Sequence, residues 1–334
     1  MNVLFIGGTG IISSGCVKLA LERGMDVTLL TRGKSFRATP EGARVIQADI
    51  RDFEATRKAL GDNAFDVVAE FTGFVPEHIE TDLKLFSGKV GQYLYISSAS
   101  AYQTPPQKVP VTEETPLENP VWEYSRNKIA CEARLMQAHR ETGFPVTIVR
   151  PSHTYDETLF LFDGGWTVVD RMLKGKPVIV HGDGTSLWTM TYNADFAKGF
   201  VGLFGKKAAI GEAYHITSDE WLTWNQIFTL TAEAFGVSPR IVHVPSDLID
   251  QYDPAWGDGL LGDKAHSFML DNRKIKALVP DFVCTVPFSE GIRKVSQWYL
   301  AHPEHQTIDP VFDANCERIL AAYARAWPEG RLPA

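Results

Sequence analysis

The chain has 334 residues, of which 44% are hydrophobic and 22% charged, a composition that excludes a disordered or low-complexity protein. Its 41 acidic and 33 basic residues give a net charge of −8, which repels nucleic acids and anionic membranes, so we expect neither as a partner. The sequence shows no basic leader and no apolar run of about eighteen residues. We therefore expect a cytoplasmic protein.

The first hundred residues alternate between short apolar runs and helical patterns. The runs are VLFI, DVTLL, RVIQ, FDVVAEF and QYLYISS, and the helical patterns between them include CVKLALERG, FEATRKALG and ETDLKLF. Strands that are buried on both faces are continuously apolar in this way. The alternation predicts an α/β fold, a doubly wound parallel sheet with right-handed crossovers.

A glycine-rich turn follows the first apolar run directly. Gly7, Gly8 and Gly10 lie in the stretch GGTGIIS, ahead of a helical pattern. Glycine permits a tight turn and a close approach to a pyrophosphate, and the helix N-terminus supplies N–H groups and positive charge. A glycine turn by itself is a weak signal, but the strand before it and the helix after it favour the dinucleotide site of a Rossmann fold. Ser13 replaces the third glycine of that pattern, so we expect slightly wider packing there.

The choice of cofactor depends on the ends of the second and third strands. NAD sites usually carry an acidic residue about twenty positions beyond the glycines, but LLTRGK places Arg32 and Lys34 there. These cations favour a 2′-phosphate and hence NADP(H) over NAD(H), although Arg32 could instead stack on adenine or face solvent. In ADIRD, we expect Asp49 and Ile50 at the adenine edge; the alternative is that Asp49 caps the next helix.

The stretch EYSRNK places Tyr124 and Lys128 one helical turn apart on the same face. An ammonium near a phenol lowers the phenol's pKa, which makes Tyr124 a candidate general acid or base. A YxxxK pattern by itself is usually an ordinary helix stripe. Here the fifth strand ends in YISSASAY, which brings serine hydroxyls to the carboxyl edge of the sheet. We assign Ser98 to the reacting substrate oxygen, Ser97 to the cofactor and Ser100 to the substrate.

Six sequence blocks occur in a characteristic order within residues 1–300: GGTGII, ADIRD, YISSASAY, VTEETPL, YSRNK with the following CEA, and VRPSHTYD. Together they resemble the extended short-chain dehydrogenase/reductase superfamily, and within it an atypical subgroup of the NAD-dependent epimerase/dehydratase family that includes chloroplast stem-loop-binding proteins. The resemblance implies that Ser98, Tyr124 and Lys128 form the catalytic triad and that Lys128 holds the nicotinamide ribose. It also implies cofactor contacts from Gly7, Thr9, Gly10, Ile11 and Ile12 at the pyrophosphate. Thr72 and Gly73 would lie beside the cofactor, and Pro151 and Ser152 near the nicotinamide.

Two departures from the family pattern bear on the substrate. Asp156 stands in TYD where glycine is usual, which predicts a different backbone or a new polar contact. Trp188, in LWTMTYNAD, stands where nucleotide-sugar relatives carry an arginine that grips the diphosphate. Because an indole cannot neutralise a diphosphate, we expect a smaller substrate without a nucleotide, such as a sugar, sugar acid or polyol derivative.

We predict two domains. Residues 1–155, with returning segments near 190–216, form the NAD(P)-binding domain, and residues 156–334 form mainly a smaller, discontinuous substrate-binding lobe with C-terminal helices. His153, Trp188 and Tyr192 are candidate substrate contacts, as is Trp166, although each aromatic residue could belong to the core of the lobe. The segment from 309 onward has helical spacing followed by a Pro/Gly stop. No histidine or cysteine grouping has metal-ligand spacing, so we expect no metal.

These features favour an NAD(P)-dependent oxidoreductase acting on a secondary alcohol or ketone of a small carbohydrate-like substrate. An epimerase or dehydratase that retains its cofactor is the alternative; dehydration would need a carboxylate near the triad, which the sequence leaves open among Glu113, Glu114, Glu123, Asp156 and Glu157. An RNA-binding or scaffold protein on the same frame is a further alternative that the acidic charge disfavours. A homodimer is possible, since the family often dimerises through the helix that carries the tyrosine.

Overall fold

The structure is a computed structural model that describes residues 1–160 and 162–328. The end of the predicted Pro/Gly stop, residues 329–334, lies outside the described residues. The strands are β1 (Asn2–Ile6), β2 (Asp26–Thr31), β3 (Arg44–Gln47), β4 (Phe65–Glu70), β5 (Val90–Ile96), β6 (Val146–Pro151), β7 (His153–Tyr155), β8 (Pro177–His181), β9 (Leu187–Trp188), β10 (Met190–Tyr192), β11 (Ala213–Ile216), β12 (Leu222–Thr223) and β13 (Arg240–Val244). The helices are α1 (Ile11–Glu22), α2 (Phe53–Leu60), α3 (Pro76–Phe86), α4 (Glu123–Thr142), α5 (Trp166–Leu173), α6 (Asn193–Gly202), α7 (Trp224–Ala234), α8 (Ser246–Tyr252), α9 (Pro254–Gly259), α10 (Arg273–Leu278), α11 (Phe288–Ala301) and α12 (Pro310–Ala324).

The main sheet has seven parallel strands in the order β11-β6-β5-β4-β1-β2-β3. This order confirms the predicted α/β fold with a doubly wound parallel sheet. Its central strands are covered on both faces, and Val3, Leu4 and Phe5 of β1 are completely buried. The strand order reverses direction between β1 and β4, which opens a crevice at their carboxyl ends, the usual ligand position in such sheets.

Helix α6 packs against α1 and so returns residues beyond 190 to the main sheet. A Cβ atom on Gly15 of α1 would lie 2.9 Å from the backbone oxygen of Asn193 at the start of α6. The side-chain amide of Asn193 donates to the carbonyl of Ile11 at 3.0 Å and to Ser14 Oγ at 3.2 Å. This contact supports the helix whose N-terminus faces the crevice.

The second lobe is built from three strand pairs and most of the remaining helices. Strands β8 and β13, and β7 and β10, pair in parallel, while β9 and β12 pair in antiparallel fashion. Its core is rich in aromatic side chains: Trp166 is 7% exposed and stacks on Tyr299 with ring centroids 5.5 Å apart. Trp166 is therefore a core residue. Among the described residues, no helix combines the length and apolarity needed to cross a membrane.

The close approach of α1 and α6 gives a first testable prediction. We expect Gly15→Ala to lower the free energy of unfolding by about 1–3 kcal/mol, because the added methyl group collides with a backbone carbonyl that cannot rotate away. The control is Lys18→Ala, an exposed position on the same helix, expected to stay within about 0.5 kcal/mol of wild type. Urea unfolding followed by circular dichroism measures both, and an unchanged midpoint for Gly15→Ala would contradict the contact.

Candidate active site

The crevice at the carboxyl ends of β1 to β4 holds a cleft of about 550 Å³, within the range of small-molecule sites. Gly7 lines it with a φ of 78°, and a Cβ atom there would lie 2.5 Å from Thr72 Cγ2. The backbone can therefore approach a ligand only because glycine occupies this position. Gly10 precedes the twelve-residue helix α1, whose first turn carries no acidic side chain. The cleft thus fits the pyrophosphate of a dinucleotide. The family resemblance also implies pyrophosphate contacts from Thr9, Ile11 and Ile12.

Ser13, which replaces the third glycine of the family pattern, closes the turn by itself. Its hydroxyl donates to the carbonyl of Gly7 at 2.6 Å and accepts from the amide of Gly10 at 2.9 Å. The side chain is buried, with 1% exposed. A hydroxyl therefore reinforces the turn that a glycine would otherwise only permit.

Four of the predicted cofactor residues line the adenosine end of the cleft. Arg32 and Lys34 follow β2 and are exposed, and Asp49 and Ile50 follow β3. The cap of helix α2 is Asp52, whose side chain accepts from the amide of Ala55 at 3.0 Å. The alternative role of Asp49 as that cap is therefore wrong, because Asp52 already occupies the position.

The segment after Lys34 crosses to the second lobe. The guanidinium of Arg37 lies 3.0 Å from a carboxylate oxygen of Asp156, and both side chains are largely buried. Ser35 Oγ donates to the carbonyl of Thr9 at 3.4 Å, and the Phe36 ring lies 5.2 Å from that of His305. The new polar contact predicted for Asp156 is this ion pair, which ties the segment 33–37 across the mouth of the cleft.

The three predicted triad side chains lie together beside this cleft. The hydroxyl of Ser98, just beyond β5, lies close enough to the phenol of Tyr124 on α4 to lower its pKa. The ammonium of Lys128 lies 5.8 Å from the centre of the Tyr124 ring. It is 1% exposed and donates to the carbonyls of Gly73 at 2.7 Å and Ile96 at 2.8 Å. A phenol, a hydroxyl and a cation from two chain segments thus meet at one point.

The pKa values in this cluster differ from the expectation drawn from the sequence. Burial raises the pKa of Tyr124 to about 12; the nearby hydroxyl of Ser98 opposes this shift and the charge of Asp263 adds to it. Burial lowers the pKa of Lys128 to about 8. The expectation that Lys128 brings the pKa of Tyr124 toward neutrality is wrong for this structure, because desolvation dominates and the ammonium is engaged by two carbonyls. Tyr124 is a proton donor at neutral pH.

A chain of serine hydroxyls orients Ser98. Ser125 Oγ donates to Ser100 Oγ at 2.8 Å, and Ser100 Oγ lies 2.8 Å from Ser98 Oγ, which also accepts from the amide of Ser100 at 3.1 Å. If Ser100 Oγ donates this hydrogen bond to Ser98 Oγ, the hydroxyl proton of Ser98 is left for Tyr124 or a substrate oxygen. Ser100, predicted as a substrate contact, is 2% exposed and lies behind Ser98, where it acts as a positioning residue. Sequence reasoning missed Ser125, although it directly follows the tyrosine.

The remaining predicted cofactor residues surround the triad. Thr72 is held by Glu70, which accepts from its hydroxyl at 2.7 Å. Ser97 is 2% exposed and its hydroxyl has no partner among the described residues. Pro151 ends β6, and Ser152 Oγ donates to the carbonyl of Thr189 at 3.0 Å. Their contacts with a cofactor stay predictions.

The predicted substrate contacts of the second lobe occupy three different environments. Trp188 is 4% exposed and packs on Trp224 in the core, but its indole N–H donates to His153 Nδ1 at 3.2 Å. Burial, with a smaller contribution from Lys264, lowers the pKa of His153 to about 3. His153 is therefore neutral, and because Nδ1 accepts, Nε2 carries the proton. The hydroxyl of Tyr192 donates to Glu157 at 2.9 Å, away from that contact.

The carboxylates that the sequence could not rank can now be placed. Glu113 accepts from the amide of His215 at 3.2 Å, and Asp156 and Glu157 are engaged as described above. Glu114 and Glu123 are partly or fully exposed, and neither influences the phenol. The carboxylate whose charge acts on Tyr124 is Asp263. No sequence signal singled it out, because LLGDK carries no motif and lies far from the triad in the chain.

The serine chain gives a second prediction. Ser100→Ala should lower kcat about tenfold with little change in KM, because Ser98 loses the neighbour that fixes its proton while the cleft keeps its shape. Ser125→Ala should have a similar effect, and the double variant should lose little more than either single variant, since both act through Ser98. Steady-state kinetics of the three variants measure this. Additive losses, or losses confined to KM, would contradict a shared positioning role.

The region that contains this site is similar in sequence to proteins of a known family. The model of the NAD dependent epimerase/dehydratase family matches residues 3–217. A chloroplast stem-loop binding protein of 41 kDa from Arabidopsis thaliana is 26% identical over 256 residues, covering 72% of this chain and 65% of its own length. The 2'-dehydrokanamycin reductase of Streptomyces kanamyceticus is 25% identical over 252 residues, covering 74% of this chain and 70% of its own. This chain thus spans less than two thirds of the plant protein.

A solved UDP-glucose 4-epimerase from Bifidobacterium longum, in complex with NAD+ and UDP, has the same fold, with a TM-score of 0.74 at 19% identity. The superposition covers 91% of this chain and 100% of the epimerase. The family match extends over more than half of the chain and includes the glycine turn, Ser98, Tyr124 and Lys128. This chain therefore belongs to the NAD dependent epimerase/dehydratase family of enzymes.

Proposed function

We propose that this enzyme is an NAD(P)-dependent oxidoreductase that interconverts a secondary alcohol and a ketone on a small carbohydrate-like compound. The observation that carries the proposal is the grouping beside the cleft of the Ser98 hydroxyl, the Tyr124 phenol and the ammonium of Lys128, which lies 5.8 Å from the centre of the phenol ring. Bound NAD(P) would supply the hydride transfer. The protein's own residues then need only to hold the substrate oxygen and move one proton.

Ser98 and Tyr124 divide that work. Ser98 donates a hydrogen bond to the carbonyl oxygen and fixes its position. Tyr124, protonated at neutral pH because burial raises its pKa to about 12, delivers the proton to the developing alkoxide. Lys128 holds α4 against the edge of the sheet through the carbonyls of Gly73 and Ile96, and so keeps Tyr124 in place. This protonation state favours reduction of a ketone, and the similarity to a reductase supports the same direction.

The second lobe supports a substrate without a nucleotide. Trp188 stands where nucleotide-sugar relatives carry an arginine, and it is buried against Trp224 with its N–H given to His153. His153 is neutral, so the Trp188–His153 pair offers a hydrogen-bond donor in place of a cation. A neutral donor suits hydroxyl or carbonyl groups better than a diphosphate.

The adenosine end supports NADP(H) as the preferred cofactor. Arg32 and Lys34 are exposed at the end of β2, where they are available to a 2′-phosphate. Arg37, the next cation along, is already paired with Asp156. The preference therefore depends on two positions that can be removed one at a time.

We expect Arg32→Ala to weaken NADP+ binding about tenfold and to leave NAD+ binding nearly unchanged, because one charge-assisted contact to the 2′-phosphate is lost. Isothermal titration with each nucleotide measures both constants. Arg23→Ala, an exposed arginine at the end of α1, is the matched control. Equal losses for both nucleotides would assign Arg32 to adenine stacking, and no loss for either would assign it to solvent.

Tyr124→Phe should lower turnover by at least about a thousandfold, because the proton donor is removed. Cofactor affinity should stay within about twofold of wild type, because nothing else changes. Absorbance of the reduced nicotinamide, measured with a panel of polyols and keto sugars, gives the rate. Titration of NADP+ gives the affinity. Persisting turnover in this variant would contradict the role of the phenol.

An epimerase or dehydratase that retains its cofactor is the second candidate, and the ion pair of Arg37 with Asp156 favours it, because that pair ties the segment 33–37 over the cleft. A retained cofactor would remain with the purified protein, and added nicotinamide would undergo no net conversion during turnover. Nucleotide released on denaturation, measured by chromatography, separates the candidates. Nucleotide-free protein that oxidises or reduces added cofactor supports the oxidoreductase.

A further inference from the structure

A short turn of the second lobe carries a buried carboxylate, that of Asp263. Residues Leu260–Lys264 form a single π-helical turn, a rare geometry that is frequent at functional sites. Two contacts fix the turn. The side-chain amide of Asn119 donates to the carbonyl of Gly262 at 2.7 Å, and His181 Nε2 donates to the last carbonyl of the turn at 3.0 Å. Asp263 therefore projects from a rigid support.

The turn packs directly against the helix that carries the catalytic tyrosine. A Cβ atom on Gly262 would lie 2.6 Å from the Cβ of Trp122, so the two backbones are in close contact. The ring of Trp122 lies 4.8 Å from the ring of Tyr124. The charge of Asp263 raises the pKa of the Tyr124 phenol. The turn that carries Asp263 is thus a direct neighbour of the helix end that carries Tyr124.

Asp263 lacks the partners that buried acids have elsewhere in this protein. Asp195 is 1% exposed and accepts from Lys198 Nζ at 2.6 Å and from two backbone amides. Asp263 is 9% exposed and its carboxylate accepts no hydrogen bond from any residue in the described ranges 1–160 and 162–328. Its oxygens are not sealed from solvent, whereas Glu70 Oε2 and Asp82 Oδ1 are. In the described part of the chain, the acceptor capacity of this carboxylate is therefore unused.

Holding this carboxylate costs stability at neutral pH. Burial raises the pKa of Asp263 to about 7, although the nearby ammonium of Lys264 opposes the shift. The charged or titratable groups that face it are Lys264, on its own turn, and Tyr124, on α4. Because its pKa is higher in the folded than in the unfolded chain, its contribution to stability is full below about pH 4 and is lost as the pH rises toward 7. A buried acid that costs stability in this way next to a candidate active site is typical of a functional residue.

We propose that Asp263 binds the substrate, its carboxylate accepting a hydrogen bond from a hydroxyl or amino group on the carbon next to the reacting one. This inference rests on the proposed function and narrows the substrate class to vicinal diols and amino alcohols and the corresponding ketones. A compound without the neighbouring donor would leave the buried carboxylate unpaired. That loss of a charge-assisted hydrogen bond corresponds to about ten- to a hundredfold in kcat/KM.

The first experiment needs no substrate. Thermal unfolding of Asp263→Asn and wild type is compared between about pH 5 and about pH 8. The amide mimics the protonated acid, so we expect the variant to be the more stable at the higher pH, with a Tm advantage that grows as the pH rises. Asp281→Asn, an exposed acid, should show no such trend. A variant less stable than wild type at both pH values would make Asp263 a structural anchor and overturn the proposal.

The second experiment tests the neighbouring group directly. The probes are cyclohexanol, a cyclohexanol with a neighbouring hydroxyl and a cyclohexanol with a neighbouring amino group, each assayed with NADP+. Wild type should prefer the two substituted rings over cyclohexanol by about ten- to a hundredfold in kcat/KM. Asp263→Ala should abolish both preferences, and Asp263→Asn should retain more of the hydroxyl preference than of the amino preference. Preferences that are equal in wild type and Asp263→Ala would overturn the proposal.

Binding separates this inference from the proposed function. With NADP+ present, the substituted rings should raise the Tm of wild type and of Tyr124→Phe more than cyclohexanol does. In Asp263→Ala, this advantage of the substituted rings over cyclohexanol should be smaller. Selective protection without turnover in wild type would count against the oxidoreductase and leave Asp263 as a binding residue. Turnover without selectivity would support the oxidoreductase and reject the role of Asp263, and the absence of both would reject both.

Discussion

The site depends on one buried cation. The ammonium of Lys128 is almost completely removed from water, which is tolerable only because it donates to the carbonyls of Gly73 and Ile96. These carbonyls lie just beyond β4 and at the end of β5, so the two bonds fix α4 against the carboxyl edge of the sheet. Tyr124 then stands one helical turn away and Ser98 two residues past Ile96. The positions of Tyr124 and Ser98 therefore depend on where the ammonium of Lys128 finds its hydrogen-bond partners.

A polar network extends from this point into the second lobe. Ser125 and Ser100 orient Ser98, and Asn119 holds the carbonyl of Ser100 at 3.2 Å while it also holds the carbonyl of Gly262. The same amide therefore connects the triad to the turn that carries Asp263. Such a network is rigid when every member is satisfied. Rigidity matters here because proton transfer needs heavy atoms within hydrogen-bond reach.

Much of the cofactor side could be predicted from the chain, because its determinants are local. The turn at Gly7 and the cations after β2 are each read within a few residues, and alternating apolar runs give the parallel sheet. The substrate side could not. Trp188 can be singled out from a short motif, but its contact with His153 depends on how β7 and β10 pair. Asp263 carries no local signal, because its role arises from packing between segments far apart in sequence.

The sequence by itself determined the α/β fold, the glycine turn and the helical spacing of Tyr124 and Lys128, since these follow from hydrophobic period and backbone geometry. Only the tertiary structure decided the protonation states and the partners. Burial, which the sequence does not state, raises the pKa of Tyr124 where proximity to a lysine predicted the opposite. Likewise, Ser100 is placed behind Ser98 and Asp263 beside the phenol by long-range packing. Desolvation and non-local contact are properties of the folded chain alone.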